Sequence, residues 1–259
     1  MNRIKELIEN KIIAIVLPGA SIGGNLGGLE ARILSLKRYN FCWCGINNFK
    51  LIEDNILKKK DYHMSIVQSI GEVEQWEKYE RELRYPMIKE FLERPENNVL
   101  ILSSEIIENF RKLSLEIDKY LSKIYVVENA RKLDVPNGLT FYLQLLTLAG
   151  AKRIFLFGCD GYNNPTELEK KVVVQHYYKA KAKLEELKAM FHKDGSRLNA
   201  DPTNTIPFQG LFKPLYLEYC IKNRLVPARI INCNPNSVIT LFPKISYDEL
   251  EKYLNESFT

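Results

Sequence analysis

The sequence has little of what usually announces chemistry. Its 259 residues hold three histidines, His63, His176 and His192. Five cysteines, at 42, 44, 159, 220 and 233, form no Cys-x-x-Cys pair, which argues against the ligand spacing of a structural zinc site. No apolar run approaches the ~18 residues of a membrane-crossing helix. There is no Gly-x-Gly-x-x-Gly, and no glycine-rich loop ends in Gly-Lys-Ser/Thr, so a dinucleotide or a Walker-held triphosphate is disfavoured. The net charge is only +5, from 37 basic and 32 acidic residues. That excess suits an anionic ligand or peripheral association with a membrane surface. It does not suggest nucleic acid, because no basic cluster with interleaved aromatics stands out. The start, MNRIKELIENK, is charged and has no apolar signal core. Reduced thiols and a cytoplasmic location are the expectation.

What is there is alternation. Runs rich in β-branched and aromatic residues occupy 12–17, 40–46, 62–68, 98–103, 123–128, 153–159 and 228–232. Several are apolar at odd and even positions alike, as strands covered on both faces are. Cys42 and Cys44, flanking Trp43, should share one strand face. Helical spacings fill 28–38, 72–94, 104–117 and 139–149. Ser103-Ser104-Glu105 reads as a helix start, Gly150 as a helix stop, and Ser246 with Glu249 as the capping box of a last helix near 247–256. Such alternation predicts an α/β fold: a Rossmann-like, doubly wound, mainly parallel sheet of about seven strands.

The pattern breaks between 161 and 227. A helix is expected over about 167–192, then the turn-rich stretch HKDGSRLNADPTNTIP, then a helix over about 209–223. Residues 161–224 read as a helical lid or acceptor subdomain. Residues 1–160 and 225–259 form the α/β domain. No internal repeat or low-complexity tract is present.

Ligands of open parallel sheets sit beyond the carboxyl ends of the strands. The first strand runs into a loop with five glycines between 19 and 28, suited to an amide nest for phosphate. The second ends in Asn47-Asn48, the third in Gln68-Ser69. Pro136-Asn137-Gly138 opens a helix whose first amides face an anion. The sixth strand ends in Gly158-Cys159-Asp160-Gly161-Tyr162, the seventh in Asn232-Cys233-Asn234-Pro235-Asn236-Ser237. Each loop alone reads equally as turn chemistry. Together they suggest a nucleotide-type ligand held by neutral groups.

These loops, in this order, resemble the bacterial lipooligosaccharide sialyltransferases and their wider group. That group includes the motility-accessory-factor glycosyltransferases and the archaeal hydroxymethylpterin diphosphokinases. The likeness rests on Leu17-Pro18-Gly19-Ala20-Ser21, Ile46-Asn47-Asn48-Phe49, Pro136-Asn137-Gly138, Gly158-Cys159-Asp160-Gly161-Tyr162 and Asn234-Pro235-Asn236-Ser237. It covers about 12–162 and 228–240, as short motifs in order. The resemblance implies a transferase that builds a bacterial surface glycan. It implies a cytidine-monophosphate-type sugar donor, a glycan acceptor and no obligatory metal. Gly19, Ser21, Asn47, Asn137 and Gly138, with Asn236 and Ser237, would contact the nucleotide, and Gln68 joins them from its strand end. The diphosphokinase branch implies ATP and magnesium instead. The chain departs from the sialyltransferase pattern at Pro18, at Asp134, and at Pro207-Phe208-Gln209-Gly210, which has no histidine.

Glycosyl transfer needs a base for the acceptor hydroxyl. His63 begins a strand and His192 ends a helix, both structural positions. His176 lies on an apolar helical stripe with Leu168, Val172, Ala180 and Leu184. It reads either as a hydrogen-bonded, partly buried histidine or, if that stripe faces the cleft, as the base. Asp160 and Tyr162 are the candidates near a donor phosphate. Two further readings stay open: the diphosphokinase, and a non-catalytic nucleotide-binding protein. Homo-oligomerisation is compatible with all three.

Overall fold

A computed structural model describes residues 1–17, 35–36, 38–46, 62–67, 77, 80–95, 97–128, 138–160 and 202–257. Within them lie the strands β1 (Ile12–Val16), β2 (Phe41–Ile46), β3 (Tyr62–Val67), β4 (Val99–Ser103), β5 (Ile124–Val127), β6 (Arg153–Phe157) and β7 (Arg229–Asn232). The described α-helices are α1 (Asn2–Ile8), α2 (Tyr85–Leu92), α3 (Ser104–Lys112), α4 (Gly138–Leu148), α5 (Pro202–Lys222) and α6 (Tyr247–Ser257). A π-helical turn, Glu80–Arg84, leads into α2, and a 3-10 turn, Asp118–Lys123, precedes β5.

The strands form one sheet in the order β5-β4-β3-β2-β1-β6-β7. Every pairing is parallel. Central β1 sets Ile15 beside Cys44 of β2 and Leu156 of β6. The chain builds outward from β1 to β5, then returns to place β6 on β1's other side. The order therefore reverses between β1 and β6. A parallel sheet with such a switch point opens a crevice beyond its strand ends at that place.

Alternation divides each strand between two cores. On one face Ile13, Ile15, Cys42, Cys44, Ile154, Leu156 and Ile230 pack with α1, α4 and α5. On the other Ile12, Ala14, Val16, Phe41, Trp43, Phe155, Phe157 and Ile231 pack with α2, α3 and α6. The second face is the aromatic one: Phe41 lies 4.9 Å from Trp43, and Trp43 lies 5.6 Å from Phe157, between ring centroids. Cys42 and Cys44 share a face as expected, and all five cysteines are free and buried. Hydrogen bonding between the two thiols, with burial, holds the Cys42 thiol well above its usual range.

Helix boundaries follow local rules. Ser103 Oγ accepts from the amide of Ile106, capping α3. The α3 helix stops at Lys112, earlier than its spacing suggests, because Ser114 takes φ 56° and Leu115 N bonds Phe110 O. Gly150 ends α4 with φ 102° and Ala151 N bonded to Leu146 O, a conformation that favours glycine. At α6, Ser246 N donates to Glu249 Oε2 and Glu249 N to Ser246 Oγ. Buried residues run through almost the whole of α4, so it behaves as a central helix rather than an amphipathic surface one. The amino-terminal α1, with Ile4, Leu7 and Ile8 buried, was not anticipated.

Of the region 161–224, residues 161–201 lie outside the described residues, and with them the helix expected over 167–192. The second expected helix is α5. It begins earlier than anticipated, and its Phe212, Tyr216 and Cys220 are buried in the core shared with α4. Tyr216 Oη lies 2.7 Å from Thr147 Oγ1 and accepts from Ala228 N at 2.9 Å. This half of the region is thus part of the layer covering the sheet. No described helix is long and apolar enough to cross a membrane.

Candidate functional site at the carboxyl edge

Two loops leave the carboxyl end of the sheet side by side, one after β6 and one after β7. Gly158 turns the first loop with φ 69°. Leu17 N, leaving β1, bonds Phe157 O at 2.8 Å, so the exits of β1 and β6 remain joined. Cys159 is buried behind Asp160, and burial pushes its thiol far up, with the Asp160 charge as a lesser cause. It is an inert core thiol rather than a nucleophile.

The second loop is tied to the first through side chains. Asn232 is fully buried. Its Nδ2 donates to Cys159 O at 2.9 Å and its Oδ1 accepts from Asn234 N at 3.2 Å. Asn234 repeats the motif: Nδ2 donates to Asp160 Oδ1 at 2.7 Å, and Oδ1 accepts from Asn236 N at 2.9 Å. Ser237 Oγ lies 2.7 Å from Cys159 O and 2.9 Å from Asp160 O, and accepts from Ile239 N. Val238 N closes the knot on Asp160 O at 2.9 Å. Each asparagine uses both ends of its amide, which suits a buried polar group that must satisfy donor and acceptor together.

The outer edge of β7 is also covered. Asn232 N bonds Pro243 O, Ile245 N bonds Asn232 O, and Asn232 bridges to Lys244 in parallel sense. From there Lys244 Nζ reaches Ser237 O at 2.5 Å. The Asp160 carboxylate is thus bonded by Asn234, that loop is tied by Asn232 and Ser237, and Lys244 holds its far end.

The expected site residues distribute as follows. Asp160 is half-buried on the crevice-side loop. Asn236 is exposed at the tip of the second loop. Ser237 is buried, and its amide, carbonyl and hydroxyl are all bonded. A nucleotide contact through Ser237 would have to replace one of those bonds. Gly138 opens α4. The far end of that helix, at Thr147, ties to Tyr216 beside the start of β7, so α4 runs against the strands and Gly138 lies at their carboxyl edge. Its first-turn amides have no intrahelical acceptors. Gly19, Ser21, Asn47, Gln68, Asn137, Tyr162 and His176 lie outside the described residues. His63 is in β3 and His192 is outside the described set. Among the described residues no group of three or more His, Cys, Asp or Glu could hold a metal ion.

A cleft of about 860 Å³ opens at the opposite, amino edge, between α1, the start of β1 and the Ala149–Arg153 turn. Its polar lining, including Lys5, Glu6, Glu9 and Lys152, is exposed and of mixed sign. It lacks the interlocked buried polar groups of the carboxyl edge.

Sequence reasoning missed Asn232, Asn234 and Lys244 as parts of the site. The first two were visible only as polar members of a turn. Lys244 carries no local signal, since its place follows from the bridge to β7. No protein-family model matches the chain, and no curated protein matches it.

Proposed function

We propose that the chain is a transferase for a nucleotide-activated substrate. Within that class we propose a sialyltransferase-like glycosyltransferase with a cytidine-monophosphate-type donor. One observation carries the reading: a fully interlocked loop pair that holds the Asp160 carboxylate stands at the carboxyl edge beside the point where strand order reverses. A carboxylate held in place there suits a ligand rich in hydroxyl groups.

In the proposed reaction the acceptor hydroxyl oxygen bonds to the anomeric carbon of the donor sugar, and the bond from that carbon to the phosphate oxygen breaks. The nucleotide leaves with the electron pair, and the acceptor proton passes to a base. His176 is the proposed base and Tyr162 the proposed donor to the leaving phosphate. Asp160, held by Asn234, positions donor hydroxyls. A nucleotide-sugar donor and a glycan acceptor are the proposed partners, with association at a membrane surface compatible with the mild positive charge.

The test is a thermal-shift series with CMP, CDP, UDP, GDP and ATP, each with and without magnesium. A ligand that binds only the native state raises the melting temperature by mass action. A metal-independent shift with CMP supports the reading. A shift confined to ATP with magnesium moves the assignment to the diphosphokinase chemistry. No shift with any nucleotide rejects both.

A further inference from the structure

Apolar exposure on the described surface is concentrated in one place. Of the five large apolar residues exposed among the described residues, four lie on α5 or in the turn after it: Leu211, Leu217, Ile221 and Val226. Leu217 and Ile221, four positions apart, share a helix face. Ile221 is 78% exposed and Val226 88%. A single exposed apolar residue is ordinary, whereas a group of them marks a contact surface.

The turn between α5 and β7 is firmly held. Arg224 takes φ 55°, Arg224 N bonds Ile221 O and Leu225 N bonds Cys220 O, so a left-handed cap ends α5. Asn223 Nδ2 donates to Tyr219 O, and Ala228 N donates to Tyr216 Oη. The chain is fastened on both sides of Val226 while that side chain and Ile221 stay in solvent. The charge of the turn has one sign. Residues 221–229, IKNRLVPAR, hold three cations and no carboxylate. Lys222, Arg224 and Arg229 are exposed. Arg229 N bonds Lys152 O, which brings exposed Lys152 alongside. Arg229 and its strand neighbour Arg153 lie over the Tyr253 ring, at 5.5 and 5.4 Å. Among the described residues none of these cations has a carboxylate within ion-pair distance. Glu218 stands one turn back on α5, and Glu6 and Glu9 line the neighbouring cleft with Lys152 and Arg153.

We propose that this turn docks on an anionic lipid bilayer, with Ile221 and Val226 entering the headgroup layer and Lys222, Arg224 and Arg229 meeting the lipid phosphates. Apolar tips among cations on a protruding turn suit a bilayer interface. A helical peptide needs a groove, and the described cleft at this edge includes no residue of 221–229. A second copy would set cations against cations across a two-fold axis. The proposal gives a place to membrane association and stands apart from the transferase reading, because it uses the amino edge of the sheet and the proposed nucleotide site lies at the other.

The test is flotation of the full chain with vesicles of phosphatidylcholine alone and of equimolar phosphatidylcholine and phosphatidylglycerol. Binding is expected with the anionic vesicles only, and should weaken as salt rises. K222Q with R224Q should weaken it by about fivefold for each charge removed. I221S with V226S should weaken it by about tenfold or more. All four side chains are exposed, so urea midpoints should stay at the wild-type value. A second measurement locates the contact. The five native cysteines are buried, so Val226→Cys can carry an environment-sensitive dye. Its emission should shift to the blue on anionic vesicles, while the same dye on Asn236→Cys, exposed at the carboxyl edge, should not shift. No binding, equal binding to neutral vesicles, undiminished binding in either double variant, or an unshifted dye at position 226 overturns the proposal. A dimer that I221S with V226S dissociates, without lipid binding, overturns it in favour of self-association. None of these outcomes bears on the nucleotide series, so either reading can fail while the other stands.

Discussion

The two edges of this sheet use polar side chains in opposite ways. At the carboxyl edge Asn232, Asn234, Ser237 and Lys244 turn inward and tie two loops together, with Asp160 held among them. At the amino edge the cleft is lined by exposed lysines and glutamates, and the buried polar ties are separate ones: Tyr216 joins α5 to Thr147 and to Ala228, and Asn98, just before β4, donates from Nδ2 to Phe91 O. The contrast shows where order is built for its own sake. Packing and separate, unlinked ties from Tyr216, Asn98 and Lys123 suffice to start the strands. Their exits are fixed by a network in which each member orients the next. Such networks are costly if partly satisfied and rigid if complete, which suits preorganisation of a site.

The sharpest way to break the contrast is Asn232→Ala. It removes both side-chain bonds, strands Asn234 N in a buried place, leaves Cys159 O with Ser237 Oγ alone, and opens a void where the amide sat. A loss of about 3 kcal/mol is expected from urea unfolding. A loss near zero would mean that the knot is decorative. Tyr216→Phe tests the other edge. It keeps the ring, stacked on Phe212 with centroids 5.1 Å apart, and deletes only the hydroxyl. About 1–2 kcal/mol should be lost, less than at Asn232 because the ring still fills its place and no void opens. Lys152→Gln, in the amino-edge cleft, should change stability by less than about 0.5 kcal/mol. A larger loss would show that the cleft charges are structural after all.

The smallest effect is expected at Glu249→Gln in the α6 capping box. Bonds from the Ser246 amide and hydroxyl hold the Glu249 carboxyl below its usual range. A depressed folded-state value contributes stability above the unfolded-state value, lost as pH falls through the folded one. The wild-type advantage over the variant should therefore exist at neutral pH and close in acid. Parallel melting curves across that range check it, and an advantage that persists in acid would contradict the cap.

Much of the fold was legible because its signals are local. The apolar runs at 12–17, 40–46, 98–103 and 153–159 hold β1, β2, β4 and β6 within one or two residues at their ends. Continuous apolarity marks a strand covered on both faces. Capping at Ser103, Gly150 and Ser246 depends only on neighbours in sequence, and all three expectations match the bonds seen. The early stop of α3 was missed because Ser114 adopts a positive φ that its residue type does not advertise. Asp160 was found because it follows a strand. Asn232 and Asn234 were not, since an asparagine in a turn looks the same whether it faces a ligand or bonds inward.

What the sequence determined by itself is therefore the material of this protein: strands buried on both faces, helices with defined ends, and polar loops after the strands. Those follow from alternation and capping over a few residues. What only the tertiary structure decided is which loops meet. Asp160 and Asn234 are 74 positions apart, and they touch because β6 inserts beside β1 and β7 follows it outward. Lys244 reaches Ser237 because its segment bridges β7. A side chain's partner is fixed by the sum of all the packing that brings distant segments together, and no local pattern encodes that sum.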